Sequence, residues 1–466
     1  MSKIIDVFEK SCIENKDKYA FYFEENKRLI TKTFDEVYKD TNEMVDYLLE
    51  NGIKQGDKIL AFANSNYKLC VFIIASFKIG ATIMYIDIFA KQDKMKNLFE
   101  KYKPDYVLVS NKTKYIKVFF KEINKIKTII NIDNIKGNNN ENKITDAISD
   151  NQAALLTTTT GSTGTPKIVI RTHNDLYEQL NLITNNIEKC RESEIVLTTS
   201  YIYVLANLLQ GFTTVLPNIN LNKNSKILNE KLSLYKDIGI NMIITSPDFC
   251  LKTNNIYPKL EYLYFGGAIL NYTEAVAIQK KFNKSNNIYM YGCTECNIIS
   301  KNKLNLYISD LKKLNINNLG QVVKGVKVKI GEHNKICVSS NALTNNYIDN
   351  SNLSDSHDTG DRGYLNNNEL IFLGKENAAL NINDDIIYSN QIEQELVLNY
   401  KLNKCAILEY NKKFYLFLEE RNKALEIKEY LKQRYKINTI IKVIKKIPCD
   451  IKHHTKINYK ELKELI

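Results

Sequence analysis

Short apolar runs alternate with stretches of helical periodicity along most of this chain, and that alternation limits the fold more than any other feature. Phe34–Asn51 carries Phe34, Val37, Met44, Leu48 and Leu49 at helical spacing. Lys58–Ala63 follows the turn Gly52–Asp57 as a strand, Tyr67–Gly80 reads as a helix, and Ala81–Asp87 and Tyr106–Ser110 return as strands. Such alternation builds a parallel sheet covered by helices. A second alternating block runs over Leu176–Tyr291, with Met242–Thr245 and Leu260–Phe265 as buried strands. From Gly320 to Phe372 the strands are short and lie between turns (Val326–Ile330, Lys335–Ser339, Glu369–Phe372), which predicts a small β-rich subdomain. Beyond Gly374 the pattern becomes a compact α+β unit with a basic tail. The fold class is α/β, and 466 residues are too many for one ordinary core.

With 44% hydrophobic and 25% charged residues the composition is that of a soluble globular protein. The start, MSKIIDVFEKS, lacks an apolar core of signal-peptide length. The longest apolar run, Leu69–Phe77, ends at Lys78, well short of a membrane span. A cytoplasmic location and no membrane span are expected. Nine cysteines are scattered from Cys12 to Cys449 without a framework, as suits a reducing compartment. Cys293 and Cys296 form a C-x-x-C with no second pair. The net charge of +12 comes from lysine spread along the chain, and no nucleic-acid partner is expected. Arg421–Ile466 is the exception, with 13 Lys/Arg against 5 Asp/Glu. It reads as a solvated basic face over an anionic nucleotide, with RNA binding as the other reading. Lys136–Lys143, KGNNNENK, reads as a tolerated loop.

Residues Thr157 to Lys167 read TTTTGSTGTPK. A loop of this kind can wrap a polyphosphate, because Gly161 and Gly164 let backbone N–H groups come close. Thr160, Ser162 and Thr163 add hydroxyl donors, and Lys167 brings a cation to phosphate oxygens. The spacing is not that of GxxxxGK[ST], and Lys167 is followed by Ile168. A polar turn after Ala153–Leu156 is the plain alternative. Tyr289–Glu295, within IYMYGCTEC, offers a strand-end tyrosine, a glycine, a threonine and a glutamate, able to stack a base, bond a phosphate and hold a metal. Phe265-Gly266-Gly267-Ala268 ends a strand in two glycines. His357-Asp358-Thr359-Gly360-Asp361 is an acidic turn whose last carboxylate suits a vicinal diol. The tail holds Ile447–Leu462, IPCDIKHHTKINYKEL, with Lys456 inside it.

Together these strings resemble the adenylate-forming (AMP-binding) superfamily, which activates a carboxylic acid as its acyl-AMP, and weaker matches extend the resemblance over nearly the whole chain. The resemblance implies a large domain over 1–374, a hinge at 375–377 and a small α+β lid over 378–466. It assigns Thr160, Gly161, Ser162, Thr163, Gly164 and Lys167 to the phosphates and Gly266, Gly267 and Ala268 to the adenine. Tyr291 would stack on the adenine, Asp361 would grip the ribose hydroxyls, and Lys375 would stand at the nucleotide-side hinge. Thr294 would bond the α-phosphate, Glu295 would hold Mg²⁺, and Lys456 would be the mobile catalytic lysine. ATP and Mg²⁺ are the implied cofactors, with CoA or a carrier-protein pantetheine as acceptor. The implied partners are a carboxylic acid, by family default fatty or hydroxy-fatty, and an acyl-carrier protein. His173, after the phosphate loop, is expected to be structural.

The pattern departs from relatives at the hinge, where Lys375 and Asn377 replace Arg and Asp, and further on at Asn381 and Asp384, where relatives often carry lysine and glycine. That glycine lets a pantetheine arm approach. Tyr203 occupies the likely place of a histidine common in acyl-CoA ligases, and His454-Thr455-Lys456 replaces Ser-Gly-Lys. The loop with Glu178-Gln179 after it, Gln210–Pro217, and P-x-D-x-K-H-x-x-K look similar to olefin β-lactone synthetases, in which a substrate hydroxyl displaces AMP. A nucleotide-binding regulator on a decayed enzyme fold is the alternative of another class.

Overall fold

The computed structural model describes Ser2–Ile466 except 64–65, 87–91, 116–119, 121, 124–125, 127, 136–146, 159–166, 222–224, 345, 349, 352–354 and 451–454, and the side chains of 92–95, 314, 350 and 351. Two large mixed sheets carry the architecture. The first runs parallel through Tyr19–Glu25, Thr213–Leu216, Ile195–Thr198, Met242–Thr245, Tyr262–Gly266 and Asn286–Tyr291. It then continues antiparallel through Ser300–Lys303, Asn317–Val322, Glu369–Lys375 and His357–Asn366, ending in the hairpin Lys327–Ser339. The expected short strands at Val326–Ile330, Lys335–Ser339 and Glu369–Phe372 therefore continue the edge of this 13-stranded sheet, while Asn346–Tyr347 and Asn350–Ser351 join the second sheet. The second sheet has eight strands. Lys58–Phe62, Thr82–Tyr85, Tyr106–Val109, Thr128–Asn131 and Ala153–Thr158 run parallel, and Ile168–Thr172 lies antiparallel to Ala153–Thr158.

Local chemistry fixes where the helices start. Helix Phe34–Glu50 opens on a reciprocal cap in which Thr33 accepts from the Glu36 N–H and Glu36 accepts from the Thr33 N–H. Thr172 with Asp175 and Asn271 with Glu274 open helices His173–Thr184 and Tyr272–Lys281 in the same way. Helix Tyr67–Lys78 is buried all round, as its apolar sequence requires between two sheets. His173 is fully buried, with Nδ1 2.9 Å from Ser2 Oγ and its ring edge-on to Phe77. Burial pushes its pKa down to about 4, which fits a neutral packing residue.

After Lys375 the chain forms a hairpin, Ala379–Ile382 with Asp385–Tyr388, and a three-stranded sheet of Cys405–Tyr410, Lys413–Leu418 and Thr439–Val443. Helices Ser389–Tyr400 and Ala424–Tyr435 pack on these strands around their own apolar clusters. Polar contacts seat this unit on the start of helix Tyr272–Lys281. Gln394 Nε2 donates to Leu270 O (2.8 Å), Asn271 Nδ2 to Asn403 O (2.9 Å) and Thr273 Oγ1 to Leu402 O (2.9 Å). Among the described residues no helix is long and apolar enough to cross a membrane, and all nine cysteines are free thiols. The Lys136–Lys143 loop lies outside the described residues.

Candidate active site

Gly292 explains why the turn after strand Asn286–Tyr291 has its shape. A Cβ there would stand 1.6 Å from the carbonyl oxygen of Asn297, so only glycine lets the chain fold back on itself. The turn aims Thr294 and Glu295 toward the second sheet. Gly266 is constrained similarly: its Cβ would lie 2.3 Å from the Met290 carbonyl in the adjacent parallel strand. The bare backbone at Gly266 is thus required by the sheet itself, whatever lies against the Gly267–Ala268 turn.

Arg171 joins the two sheets at this point. Its Nη2 donates to Thr294 O (2.5 Å), its Nη1 to Thr157 Oγ1 (2.6 Å) and its Nε to Gln179 Oε1 (2.8 Å). The guanidinium is 4% exposed; desolvation lowers its pKa to about 10, with the Glu295 carboxylate acting the other way. Gln179 Nε2 donates to Glu295 O (3.1 Å), and Asn297 Nδ2 donates to Gln179 Oε1 (2.9 Å). The backbone of the 294–297 turn is therefore held by two side chains from the other sheet's layer.

Glu295 is 7% exposed. Its Oε1 accepts from the Tyr347 hydroxyl at 2.9 Å, and His357 Nε2 lies 3.7 Å from Oε2. Burial and the Glu295 carboxylate both push the Tyr347 hydroxyl pKa up. Burial lowers the pKa of His357 against the opposing pull of Glu295. Lys167 Nζ lies 5.3 Å from the centre of the Tyr347 ring. Thr158 pairs with Ile168 across the two antiparallel strands, so both ends of the hydroxyl-rich loop stand beside the Glu295 turn.

A second bonded group lies at the end of the same strand. Tyr291 OH donates to Asp361 Oδ2 (2.8 Å), and Lys375 Nζ lies 2.6 Å from Asp361 Oδ1. Asp361 and Lys375 are direct partners across antiparallel strands. Burial and the Asp361 carboxylate hold the Tyr291 hydroxyl in its protonated form. Each Asp361 oxygen already has one protein donor and keeps a second lone pair for another.

Of the residues singled out in the sequence, Thr294, Glu295 and Lys167 form one cluster and Tyr291, Asp361 and Lys375 the other. Gly266 ends the strand adjacent to Tyr291, and Gly267 and Ala268 follow it. Thr160, Gly161, Ser162, Thr163 and Gly164 lie outside the described residues. Lys456 belongs to the tail, where its carbonyl accepts from the Asp450 N–H at 2.8 Å. The neighbouring Thr455 carbonyl accepts from Lys404 Nζ (3.0 Å), which also pairs with Glu274 (2.9 Å) in the first turn of helix Tyr272–Lys281. This brings the tail to the helix that follows the Gly266–Ala268 turn. Arg171 and Tyr347 were missed. Arg171 did carry a signal, since a charged residue within the apolar strand IVIRT needs buried partners; Tyr347, in NNYIDN, carried none.

Comparison with known proteins gives a consistent result. The family described as AMP-binding enzyme matches residues 8–347. The chain is 22% identical over 367 residues to the D-alanine–D-alanyl carrier protein ligase of Staphylococcus aureus (strain bovine RF122 / ET3-1), covering 73% of each chain. Among solved structures it resembles the o-succinylbenzoate CoA synthetase of Bacillus subtilis in complex with its acyl-adenylate intermediate, with a TM-score of 0.80, 18% identity and coverage of 98% and 97% of the two chains. It also resembles an amide bond synthetase from Marinactinospora thermotolerans, with a TM-score of 0.83, 12% identity and 99% of each chain covered.

Proposed function

Because this chain belongs to the AMP-binding enzyme family, we propose that it activates a carboxylic acid as its acyl-adenylate, with release of pyrophosphate, and passes the acyl group to CoA or a carrier-protein thiol. One observation carries the reading. The ends of the hydroxyl-rich loop, far away in sequence from Glu295, reach its turn: Thr157 through Arg171 to Thr294, and Lys167 through the Tyr347 ring to Glu295.

In the proposed first step the substrate carboxylate attacks the α-phosphorus of ATP and the bond to pyrophosphate breaks. The protein contributes position and charge, as in phosphoryl-type transfers generally. Lys167 and the loop residues Thr160–Gly164 hold the departing phosphates, and Thr294 bonds the α-phosphate. Tyr291, Gly266, Gly267 and Ala268 border the base, and Asp361, steadied by Lys375, takes the ribose diol. Glu295 fits Mg²⁺, since it offers a buried carboxylate oxygen and magnesium asks for one or two carboxylates plus phosphate oxygens and water. The ion would neutralise phosphate charge when bound. We assign 1–374 to the nucleotide-binding domain, 375–377 to the hinge and 378–466 to a lid that carries Lys456 to the reacting carboxylate.

The test is exchange of labelled pyrophosphate into ATP across a panel of carboxylic acids, fatty and 3-hydroxy fatty acids included. Lys456→Ala should slow exchange by orders of magnitude with little change in ATP affinity. Absence of exchange with every acid would instead favour a nucleotide-binding regulator. A second acceptor is supported by Asp384, which stands at the tip of the hairpin Ala379–Tyr388, where the family resemblance often places glycine. If a β-hydroxy acid with ATP gives a lactone without any thiol, the internal hydroxyl is the acceptor.

A further inference from the structure

The Glu295 cluster contains more than magnesium requires. Cys293 Sγ, a Glu295 carboxylate oxygen and a His357 ring nitrogen lie within 4.8 Å of one another, in a half-buried to buried pocket. Magnesium is a hard ion that takes oxygen ligands, so the sulfur and the imidazole are surplus to it. A mixed S, N and O set is what zinc-class ions select. Zinc bond lengths of about 2.0–2.3 Å put tetrahedral ligands roughly 3.3–3.8 Å apart. The His357 Nε2 to Glu295 Oε2 separation of 3.7 Å already lies in that range.

One surrounding contact supports metal ligation. The Tyr347 hydroxyl on Glu295 Oε1 fixes that carboxylate and leaves Oε2 turned to His357. Such outer contacts orient ligating groups.

We propose that Cys293, Glu295 and His357 form a three-ligand site for a zinc-class divalent cation, with the fourth coordination position left to water or a phosphate oxygen. Glu295 is then shared between two ions of different chemistry. It follows, in so far as the function proposed above holds, that zinc and Mg²⁺–ATP exclude each other and that zinc holds the enzyme inactive.

The site itself is tested without nucleotide. The full chain, stripped by a chelator, is titrated with Co²⁺ and Zn²⁺. Expected is a thiolate-to-cobalt charge-transfer band in the near ultraviolet, displaced by Zn²⁺, absent in Cys293→Ser, with affinity weakened about tenfold or more in His357→Phe. A wild-type protein without that band, or a band unchanged in Cys293→Ser, overturns the proposal. Alkylation of wild-type protein gives a check that needs no variant: Zn²⁺ should protect Cys293 from iodoacetamide, and equal labelling with and without Zn²⁺ counts against the site. Mg²⁺–ATP is then added to the zinc-loaded protein. Weaker Mg²⁺–ATP binding to the zinc-loaded than to the zinc-free protein supports the shared carboxylate, whereas equal Mg²⁺–ATP affinity with zinc retained leaves the site standing and refutes the Glu295–Mg²⁺ assignment instead.

Discussion

Arg171→Met is the sharpest test of how this fold holds its site. The substitution keeps an unbranched apolar stem and removes the guanidinium. Thr157 Oγ1 and Thr294 O then lose their donor, whereas Gln179 Oε1 retains Asn297 Nδ2. An unpaired acceptor costs about 1–3 kcal/mol when fully buried; Thr157 and Thr294 are half-buried, so about 1–3 kcal/mol is expected for the two together. Glu295 also loses the cation that its carboxylate supports. The chain has no tryptophan, so unfolding is best followed by calorimetry and far-ultraviolet circular dichroism. The expected result is a clear fall in the unfolding midpoint together with weaker pyrophosphate exchange, because the Thr294–Glu295 turn is no longer tied to strand Ile168–Thr172. Arg171→Lys should fall between, since an ammonium cannot serve three acceptors in a planar fork. If Arg171→Met melts with the wild type and exchanges pyrophosphate at the same rate, the positioning argument is wrong.

Gly292→Ala should misplace the whole turn, because its Cβ meets Asn297 O; loss of stability by about 1–3 kcal/mol or more is expected in calorimetry, and an unchanged midpoint would contradict the geometry. Asp384→Gly should stabilise the hairpin Ala379–Tyr388 by about 0.5–1 kcal/mol, since Asn383 and Asp384 (φ 51° and 69°) form the left-handed two-residue turn between Ile382 and Asp385, where glycine is preferred. Proteolysis within residues 378–466 should slow; faster cleavage would count against it. Glu393 is buried, bonded by the Ile407 N–H and the Tyr459 hydroxyl, and its carboxyl is pushed up to about 7, chiefly by desolvation. Its folded pKa exceeds the unfolded value, so its contribution is full near pH 4 and is lost as pH rises through about 7, about 3 kcal/mol in all. His173 acts oppositely, stabilising above about 6.5 and losing that as pH falls toward 4. Glu393→Gln should therefore remove the fall of the unfolding midpoint between pH 5 and 7.5, and a pH profile identical to wild type would refute the assignment.

What the sequence disclosed and what it concealed divide along a physical line. The Tyr291–Glu295 turn was legible because its constraint is local: Gly292 must clear Asn297 within the same loop. Helices such as Phe34–Glu50 were legible to within a residue because a cap and an apolar stripe lie in one window. The placing of the strands after Gly320 was not. Asn317–Val322 pairs with Ser300–Lys303 on one side and Glu369–Lys375 on the other, and no local pattern says which distant strand supplies the second edge. The strand IVIRT showed that Arg171 needs a partner but not which one, since Thr294 lies 123 residues away.

That same long-range pairing joins the two halves of the proposed mechanism. Lys375 is the last residue of its strand and sits directly opposite Asp361, with its amine on one carboxylate oxygen while Tyr291 holds the other. The next residue, Glu376, pairs at 2.6 Å with Arg362, the neighbour of Asp361. The segment assigned as the hinge is thus anchored by two successive ion pairs to the strand assigned to the ribose. If 375–377 is the hinge and Asp361 the ribose contact, rotation of the lid would strain or break these pairs, and lid position and nucleotide contact would be coupled through one carboxylate.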